Sequence, residues 1–273
     1  MHRVRRGGAV VLSALIVSGC ADPQAGDPTS DGPAIEETIP REATFTQGLE
    51  LLDDGTMVHS RGRYGESGID LLSTTGEVLL SRELPDDEFG EGVSVVDRGA
   101  DAAGAVGGGP TAYQLTWKSG IVHTWSVPDL IEGPQLRIEG EGWGICYDET
   151  RDVIWQSDGT STLRSRAVRD LAPLGQVTVT APENDGAEVG LLNELECVDG
   201  RVWANVWKSD IVVQIDPDTG VVMSTVDLSG VVAAEQPAAP EDVVNGLAYD
   251  QEQDTFLVTG KNWTQLYRVD LER

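Results

Sequence analysis

The residues best suited to chemistry are polar side chains that share one position in a phrase repeated five times. The first residue of each copy is Gln47, Glu91, Trp143, Asn193 or Asn245. Glu91 is the only carboxylate among the five, and its companions are mostly amides. A single proton-transferring group beside hydrogen-bond donors is suited to general acid–base chemistry with stabilisation of a developing anion. This chemistry requires a fold that brings five distant segments together.

The spacing of the phrase predicts that fold. Its first positions lie 44, 52, 50 and 52 residues apart, which is the period of a propeller blade rather than of a helical solenoid. The third position of every copy is aliphatic, as expected of a residue used for packing. The chain is therefore predicted to be all-β, with a single five-bladed β-propeller domain over residues 38–273.

Each phrase is followed by an acidic or glycine turn and by further short strands with alternating apolar residues, the first of them at residues 57–60. The fifth repeat begins at Asn245 and leaves 29 residues, enough for three strands but not for four. An open edge would remain, so we expect residues 35–43 to supply the missing outer strand. Residues 98–110 and 231–241 interrupt the pattern and are predicted to be surface loops.

In a propeller the first strand of each blade lines the central channel and the second returns antiparallel to it. The start of the first strand and the end of the second therefore lie on one face. Besides the first-position residues, the starts of the first strands carry Phe45 and Phe89. The ends of the second strands carry Trp117, Trp207 and Lys261, and the corresponding places in the other blades are occupied by Arg61, Ser157 and Asp158. Aromatic walls with a few fixed polar groups are typical of a small-ligand pocket.

The charge of the chain excludes some classes of function. Its formal net charge is -27, from 46 acidic and 19 basic residues. Binding to nucleic acid, or to anionic lipid through charge, requires basic patches. We therefore expect no nucleic-acid partner, and no membrane contact through the folded domain.

The residues that usually hold metals are scarce. Beyond the N-terminal segment the histidines are His59 and His123, and no HxxE or CxxC spacing occurs. We therefore expect no zinc and no other cofactor. A structural Ca²⁺ among the many carboxylates stays open, although no loop has EF-hand spacing.

The N-terminus is typical of an export signal. Three arginines precede the apolar residues 9–17, and the segment ending at Cys20 resembles a bacterial lipobox. Residues 1–19 are thus predicted to be a signal peptide, Cys20 a lipidated N-terminus, and residues 20–37 a flexible tether. The expected location is outside the cytoplasm, anchored by lipid to the outer side of the cytoplasmic membrane.

Two further cysteines, Cys146 and Cys197, lie in adjacent repeats. Aligning the repeats places them one position apart, so their side chains leave opposite faces of their strands. Neighbouring blades present opposite faces to each other, and an exported protein permits a disulfide. A disulfide and two small buried apolar residues are both consistent with the pattern.

Seven ordered motifs between residues 38 and 273 resemble those of plant-type glutamine cyclotransferases. In sequence order the motifs are Phe45-Thr46-Gln47-Gly48-Leu49, Phe89-Gly90-Glu91-Gly92, Gln114-Leu115-Thr116-Trp117, Gly140-Glu141-Gly142-Trp143-Gly144, Leu192-Asn193-Glu194-Leu195-Glu196, Ala204-Asn205-Val206-Trp207 and Val258-Thr259-Gly260-Lys261-Asn262-Trp263. That family has five-bladed propellers unrelated to the animal zinc enzymes.

The resemblance implies a reaction and its residues. The family cyclises the N-terminal Gln of peptides and proteins to pyroglutamate and releases ammonia, with Glu91 as the acid–base. Asn193 and Lys261 are implied to polarise the amide oxygen or hold its tetrahedral anion, and Gln47 to fix the substrate amide. The walls of the slot are then five aromatic residues, Phe45, Phe89, Trp117, Trp143 and Trp207.

Two other classes of function stay open on the sequence. The first is a non-catalytic, lipid-anchored propeller that binds a peptide terminus or a partner protein. The second is a metal-dependent propeller hydrolase, which is disfavoured because the repeated first positions offer no convincing ring of metal ligands. A closed propeller needs no partner, so we expect a monomer.

Overall fold

The structure is a computed structural model that describes residues 32–98 and 108–271, which belong to one compact unit. The predicted signal peptide, Cys20 and the tether up to residue 31 lie outside the described residues. Among the residues described, no helix is long and apolar enough to cross a membrane.

Five antiparallel sheets form the blades, and each begins with a strand that carries the repeated phrase. Blade 1 contains β2 (Thr46–Leu51), β3 (Met57–Arg61), β4 (Gly68–Leu72) and β5 (Val78–Glu83). Blade 2 contains β6 (Gly90–Val96), β7 (Thr111–Thr116), β8 (Ile121–Ser126) and β9 (Leu136–Arg137). Blade 3 contains β10 (Ile145–Asp148), β11 (Val153–Gln156), β12 (Thr162–Ala167) and β13 (Pro173–Thr178).

The fourth blade is extended by a short hairpin. Its main strands are β16 (Leu192–Val198), β17 (Arg201–Val206), β18 (Ile211–Asp216) and β19 (Val221–Asp227). The hairpin contains β14 (Thr180–Ala181) and β15 (Ala187–Glu188), separated by a 3₁₀ turn at Pro182–Asn184, and β14 pairs in parallel with the outer edge of β19. Thus the hairpin covers an edge that would otherwise be unpaired.

The fifth blade is closed by the N-terminal strand. Within the blade, β20 (Val244–Asp250), β21 (Thr255–Gly260) and β22 (Gln265–Val269) are consecutive, and β1 (Ile35–Pro40) pairs antiparallel with β22. The register places Ile39 opposite Leu266, and both side chains are buried in a cluster with Leu49 of blade 1. The predicted all-β, five-bladed propeller with N-terminal closure is confirmed.

The third position of the repeated phrase anchors the core. Its residues are at most 1% exposed, in the order Leu49, Val93, Ile145, Leu195 and Leu247. Burying such a side chain contributes about 1.5–3 kcal/mol relative to leaving it exposed. Each packs within a separate apolar cluster between blades, which fixes the height of the channel-lining strands.

The first strands of blades 1, 2 and 3 each approach the backbone of the next blade so closely that the second position of the phrase must be glycine. A methyl group added to Gly92 would lie 2.7 Å from the carbonyl oxygen of Trp143. One added to Gly144 would lie 2.0 Å from the carbonyl oxygen of Asn193. No larger side chain fits at these distances unless the backbone moves.

The fourth position of the phrase links each blade to the next. Three of these side chains accept a hydrogen bond from a backbone N–H of the following blade: Glu50 from Val95 (3.1 Å), Ser94 from Tyr147 (3.1 Å) and Glu196 from Tyr249 (3.2 Å). Between blades 3 and 4 the link is a disulfide from Cys146 to Cys197, with Cα atoms 5.4 Å apart. Ala248 occupies the fourth position of blade 5 and has no polar group.

The prediction of a surface loop over residues 231–241 is wrong in its first half. Residues Ser229–Glu235 form a helix, α1, whose Val231 is fully buried beside Trp263 and Tyr267. Glu235 accepts hydrogen bonds from the backbone N–H of Thr264 (2.6 Å) and from the Tyr267 hydroxyl (2.9 Å). These tertiary contacts stabilise a helix too short to be stable alone. Of the other predicted loop, residues 99–107 lie outside the described part of the chain.

Candidate active site at the mouth of the propeller

Local irregularities in the first strands aim the polar side chains at the mouth. The pairing of β2 with β3, β6 with β7, β16 with β17 and β20 with β21 shifts register at the first positions of the phrase. The shifts fall at Gln47, Glu91, Asn193 and Asn245. Such bulges turn a side chain away from the regular alternation of a strand, and here they bring one polar group from each of four blades to the same end of the channel.

A circuit of aromatic rings lies at the same end of the channel. Ring centroids lie 6.1 Å apart for Phe45 and Phe89, 5.7 Å for Phe89 and Trp117, and 5.4 Å for Trp143 and Trp207. The ammonium of Lys261 closes the circuit, at 5.8 Å from the Trp207 ring and 5.0 Å from the Phe45 ring. The five predicted wall residues therefore form two groups of contacting rings, Phe45 with Phe89 and Trp117, and Trp143 with Trp207.

Glu141 joins the two halves of the circuit. Its Oε2 accepts hydrogen bonds from the indole N–H of Trp117 (2.8 Å) and of Trp143 (3.0 Å). One carboxylate thus fixes the rings of two tryptophans from adjacent blades. Glu141 lies in the motif Gly140–Gly144, but the sequence alone does not predict its role. The convergence of two indoles on one carboxylate depends on the distance between blades.

Glu91 interacts electrostatically with Lys261 and Glu141 and is only 5% exposed. Its Oε2 accepts a hydrogen bond of 2.7 Å from the side-chain amide of Gln47. The Oε1 of Gln47 in turn accepts one of 3.1 Å from the side-chain amide of Asn245. The second amide fixes the orientation of the first, so the NH₂ group of Gln47 faces the carboxylate. Ser60 also donates a hydrogen bond to the backbone carbonyl of Glu91 and holds the strand in place.

Burial shifts the proton affinities of Glu91 and Lys261 toward their neutral forms. Desolvation raises the pKa of Glu91 well above its ordinary value; Lys261 lowers it in part and Glu141 raises it further. Desolvation lowers the pKa of Lys261 to about 8, against a smaller raising effect of Glu91. Both shifts favour the neutral form of the side chain, and shifts of this kind are common among residues that transfer protons.

Asn193 lies beside Trp143 on the neighbouring first strand. Its backbone carbonyl accepts a hydrogen bond of 2.6 Å from Ser157, whose hydroxyl also accepts one of 2.8 Å from the N–H of Gly144. The Asn193 side chain is 1% exposed, and its Oδ1 has no hydrogen-bond partner within the described residues. A buried, unpaired polar atom is costly, so the Oδ1 of Asn193 would be stabilised by a hydrogen-bond donor.

The remaining strand-end residues have structural roles. Arg61 is turned toward Asp70 and Glu83, with ion-pair distances of 3.2 and 2.6 Å. Asp158 pairs with Arg164 at 2.5 Å. Ser157 supports the two strands described above and takes part in the site only through their backbone.

Glu194 lies on a first strand next to Asn193 and links three blades. It occupies the second position of the phrase, where other copies have glycine, and accepts backbone hydrogen bonds from Leu49 (3.4 Å) and Leu247 (3.0 Å). It therefore spans from blade 4 to blades 1 and 5. Burial raises its pKa well above the ordinary value, and the two donated bonds oppose that rise.

The histidines of the described blades are bound to protein groups. His59 lies in hydrogen-bond range of Asp70 (3.3 Å) and Thr46 (3.2 Å). His123 lies between Glu88 (2.6 Å) and Glu132 (3.0 Å). Across residues 32–98 and 108–271, no group of three or more His, Cys, Asp or Glu is placed to hold a metal ion.

The site as a whole combines the carboxyls of Glu91 and Glu141, one amine and three amides with five aromatic rings. Such a set can take a proton from a bound amine, stabilise an oxyanion and return the proton to a leaving group. The rings exclude water, which strengthens each of these interactions.

Comparison with known proteins agrees with this geometry. The glutamine cyclotransferase family matches residues 10–271. The glutaminyl-peptide cyclotransferase of Arabidopsis thaliana is 30% identical over 233 residues, covering 84% of this chain and 68% of that protein. The crystal structure of Myxococcus xanthus glutaminyl cyclase superposes with a TM-score of 0.75 at 32% identity, covering 87% of this chain and 95% of that one. The chain belongs to the glutamine cyclotransferase family.

Proposed function

We propose that this chain converts the N-terminal Gln of peptides and proteins to pyroglutamate with release of ammonia, and that Glu91 transfers the proton. The supporting observation is the position of Glu91, buried within electrostatic range of Lys261 and held by Gln47. Family membership supports the same reaction.

The reaction needs one proton to move between two nitrogens of the same substrate. The α-amine attacks the carbon of the side-chain amide, so a C–N bond forms as the amide carbonyl becomes an oxyanion. Glu91 takes the proton that the amine loses and gives it to the departing nitrogen, which leaves as NH₃ while the carbonyl re-forms. The raised pKa of Glu91 makes it a stronger base than an exposed carboxylate.

The other polar groups serve the oxyanion and the orientation of the substrate. Lys261 supplies a positive charge to the oxyanion, and the unpaired Oδ1 of Asn193 can accept a hydrogen bond from the amine or amide of the substrate. Gln47 holds Glu91 and the substrate amide, and the rings of Phe45, Phe89, Trp117, Trp143 and Trp207 enclose the methylenes. Holding the side chain in a folded-back conformer is the main task, because the nucleophile is already tethered.

The test is ammonia release from a dipeptide with N-terminal Gln, with the full chain and two variants. Glu91→Gln is expected to lower kcat/KM by about 10²–10⁴-fold, the usual value of general acid–base help. Glu77→Gln, which removes an exposed carboxylate at a turn, is the matched control and should retain full activity. Equal rates in all three proteins would remove Glu91 from the mechanism. No ammonia from any of them would favour a non-catalytic propeller that binds peptide termini.

The same proposal includes the location of the enzyme. The predicted lipidation of Cys20 supports an exported monomer, held by its lipid to the outer side of the cytoplasmic membrane. Fractionation should find the wild type with membranes and Cys20→Ala free of them, and light scattering of detergent-solubilised protein should give the mass of one chain. A wild type recovered only in the soluble fraction would contradict the anchor.

A further inference from the structure

The lysines of this chain are concentrated at the mouth. The sequence has three, and each ends the second strand of a blade or follows it by a residue or two: Lys118, Lys208 and Lys261. Lys118 and Lys208 occupy equivalent places in two Trp-Lys-Ser turns. In a chain with 46 acidic and 19 basic residues, all three lysines therefore lie at the strand ends that carry the candidate site.

Three cations stand over rim aromatics. Lys118 lies 3.7 Å from the ring centroid of Trp117, and Lys208 lies 4.3 Å from that of Trp207. The Arg63 guanidinium lies 4.5 Å from the Phe45 ring. Cation–π contacts hold these charges at fixed places while leaving their outer sides hydrated.

These charges are poorly neutralised by the protein. Arg63 and Lys208 form no ion pair with any carboxylate in the described part of the chain, and Lys118 is only within 3.9 Å of Glu141. The two indole N–H groups bond to Oε2 of Glu141, and the 3.9 Å distance from Lys118 is to Oε1, which is longer than a hydrogen bond. The rim therefore carries positive charge that a ligand can neutralise.

The position of the rim defines which part of a substrate meets it. A substrate whose first residue is held at Glu91 must leave past the rings of Phe45, Trp117 and Trp207, on which the three cations stand. An extended chain advances about 3.3–3.6 Å per residue. The second and third residues of the substrate therefore pass the cations.

We propose that Arg63, Lys118 and Lys208 form a rim subsite for a carboxylate in the second or third residue of the substrate, so that the enzyme selects peptides that are acidic directly after their N-terminal Gln. The inference rests on the proposed cyclisation, whose residues it does not share. The carboxylate can be an Asp or Glu side chain or the C-terminus of a short peptide.

The test compares kcat/KM for a series of tripeptides with the full chain. The series is Gln-Ala-Ala-amide, Gln-Asp-Ala-amide, Gln-Ala-Asp-amide and Gln-Ala-Ala with a free C-terminus. At low salt we expect an acidic-over-neutral ratio of about 3–10, mainly through KM, because partly exposed charge pairs contribute modestly. At about 1 M salt the ratio should approach one, since the Debye length falls to about 3 Å.

Variants separate the rim from the overall charge. Lys118→Gln/Lys208→Gln should lower the ratio about threefold or more. Arg169→Gln removes an exposed charge at the turn after β12, at the opposite face, and should leave the ratio unchanged. An equal loss in that control would overturn the rim subsite.

The outcomes also separate this inference from the reaction itself. A preference for the two Asp peptides assigns the subsite to acidic side chains, and a preference for the free acid alone assigns it to peptide C-termini. Cyclisation of all four peptides with equal efficiency overturns the rim subsite and leaves the reaction standing. No cyclisation of any peptide overturns the proposed function instead.

Discussion

The side-chain amide of Gln47 donates a hydrogen bond of 2.7 Å to Glu91, and a second amide, Asn245, fixes the direction of that bond. The bond favours the ionised form of Glu91 and so lowers its pKa, against the larger raising effect of burial. The proton affinity of the proposed acid–base is therefore adjusted by a neighbour from another blade.

Gln47→Met should raise the pKa of Glu91 further, because burial then acts without the opposing bond. The acid limb of kcat/KM, which reports ionisation of the free enzyme, should move to higher pH than in the wild type. Gln176→Met, in the exposed outer strand β13, is the control. All pH profiles use the same substrate, so the titration of the substrate amine affects each protein equally and does not contribute to the difference between them. An acid limb that stays in place would contradict the role of this bond.

Lys261 should define the alkaline limb. Its pKa is lowered to about 8 by burial, so the charge is present below that pH and is lost above it. Activity that needs this charge should decline as pH rises through about 8. Lys261→Met should lower kcat at every pH and abolish that decline, and Lys261→Arg should keep its charge to much higher pH. A decline near pH 8 that persists in both variants would assign it to another group.

Gly144→Ala should damage both stability and activity. The added methyl group would lie 2.0 Å from the carbonyl oxygen of Asn193, and relief of such overpacking typically costs about 1–3 kcal/mol. The displaced strand carries Asn193, so kcat/KM should also fall. Gly190→Ala is the matched control, because a methyl group there meets nothing within 4 Å. Urea unfolding and ammonia release measure the two effects, and equal behaviour of the two variants would contradict the close approach.

The Cys146–Cys197 disulfide should stabilise the fold strongly. It closes a loop of 51 residues, for which the chain-entropy estimate is about 4 kcal/mol. Cys146→Ala/Cys197→Ala should lose a stability of that order in urea unfolding. A non-reducing peptide map of the wild type should contain the cross-linked pair, and a map without it would mean that the thiols are only packed together.

Glu196→Gln should change how stability depends on pH. Burial, together with the charges of Glu50 and Glu194, raises the pKa of Glu196 well above its ordinary value. The folded state therefore binds this proton more tightly than the unfolded state does. The resulting stability is present below the unfolded pKa, about 4.3, and is lost as pH rises toward the folded pKa. A Gln at this position still accepts the hydrogen bond from the Tyr249 N–H. Between pH 5 and 8 the unfolding free energy of the variant should therefore fall less than that of the wild type, as measured by urea unfolding. The control Glu77→Gln should behave as the wild type does.

Periodicity in the sequence predicted the fold because one structural rule acts in every blade. The buried third-position residues and the strand count at the C-terminus are each visible without coordinates, and both are confirmed. The helix at Ser229–Glu235 was missed because its stability depends on contacts with Thr264 and Tyr267, which lie far along the chain.

The site was predictable to the level of residue positions rather than of contacts. Bulges at the first positions deliver Gln47, Glu91, Asn193 and Asn245 to one end, as the alignment of repeats indicated. Alignment cannot reveal that Glu141 receives two indoles, since this depends on the distance between blades. Alignment also does not show that Arg61 turns toward its own blade, where it forms ion pairs with Asp70 and Glu83.

At the fourth position of the phrase, Ala248 forms no link across the seam between the last and first blades, whereas the other four seams each have a hydrogen bond or disulfide from this position. That seam is closed instead by the N-terminal strand, and it is where Asn245 meets Gln47 and where Lys261 meets Phe45. When thermal motion opens the ring, the seam between blades 5 and 1 should open first. The Asn245–Gln47 and Lys261–Phe45 contacts would then be lost together. On heating, activity should therefore be lost while most of the circular-dichroism signal of the sheets remains. A ligand bound at the mouth should raise the temperature at which activity and signal are lost.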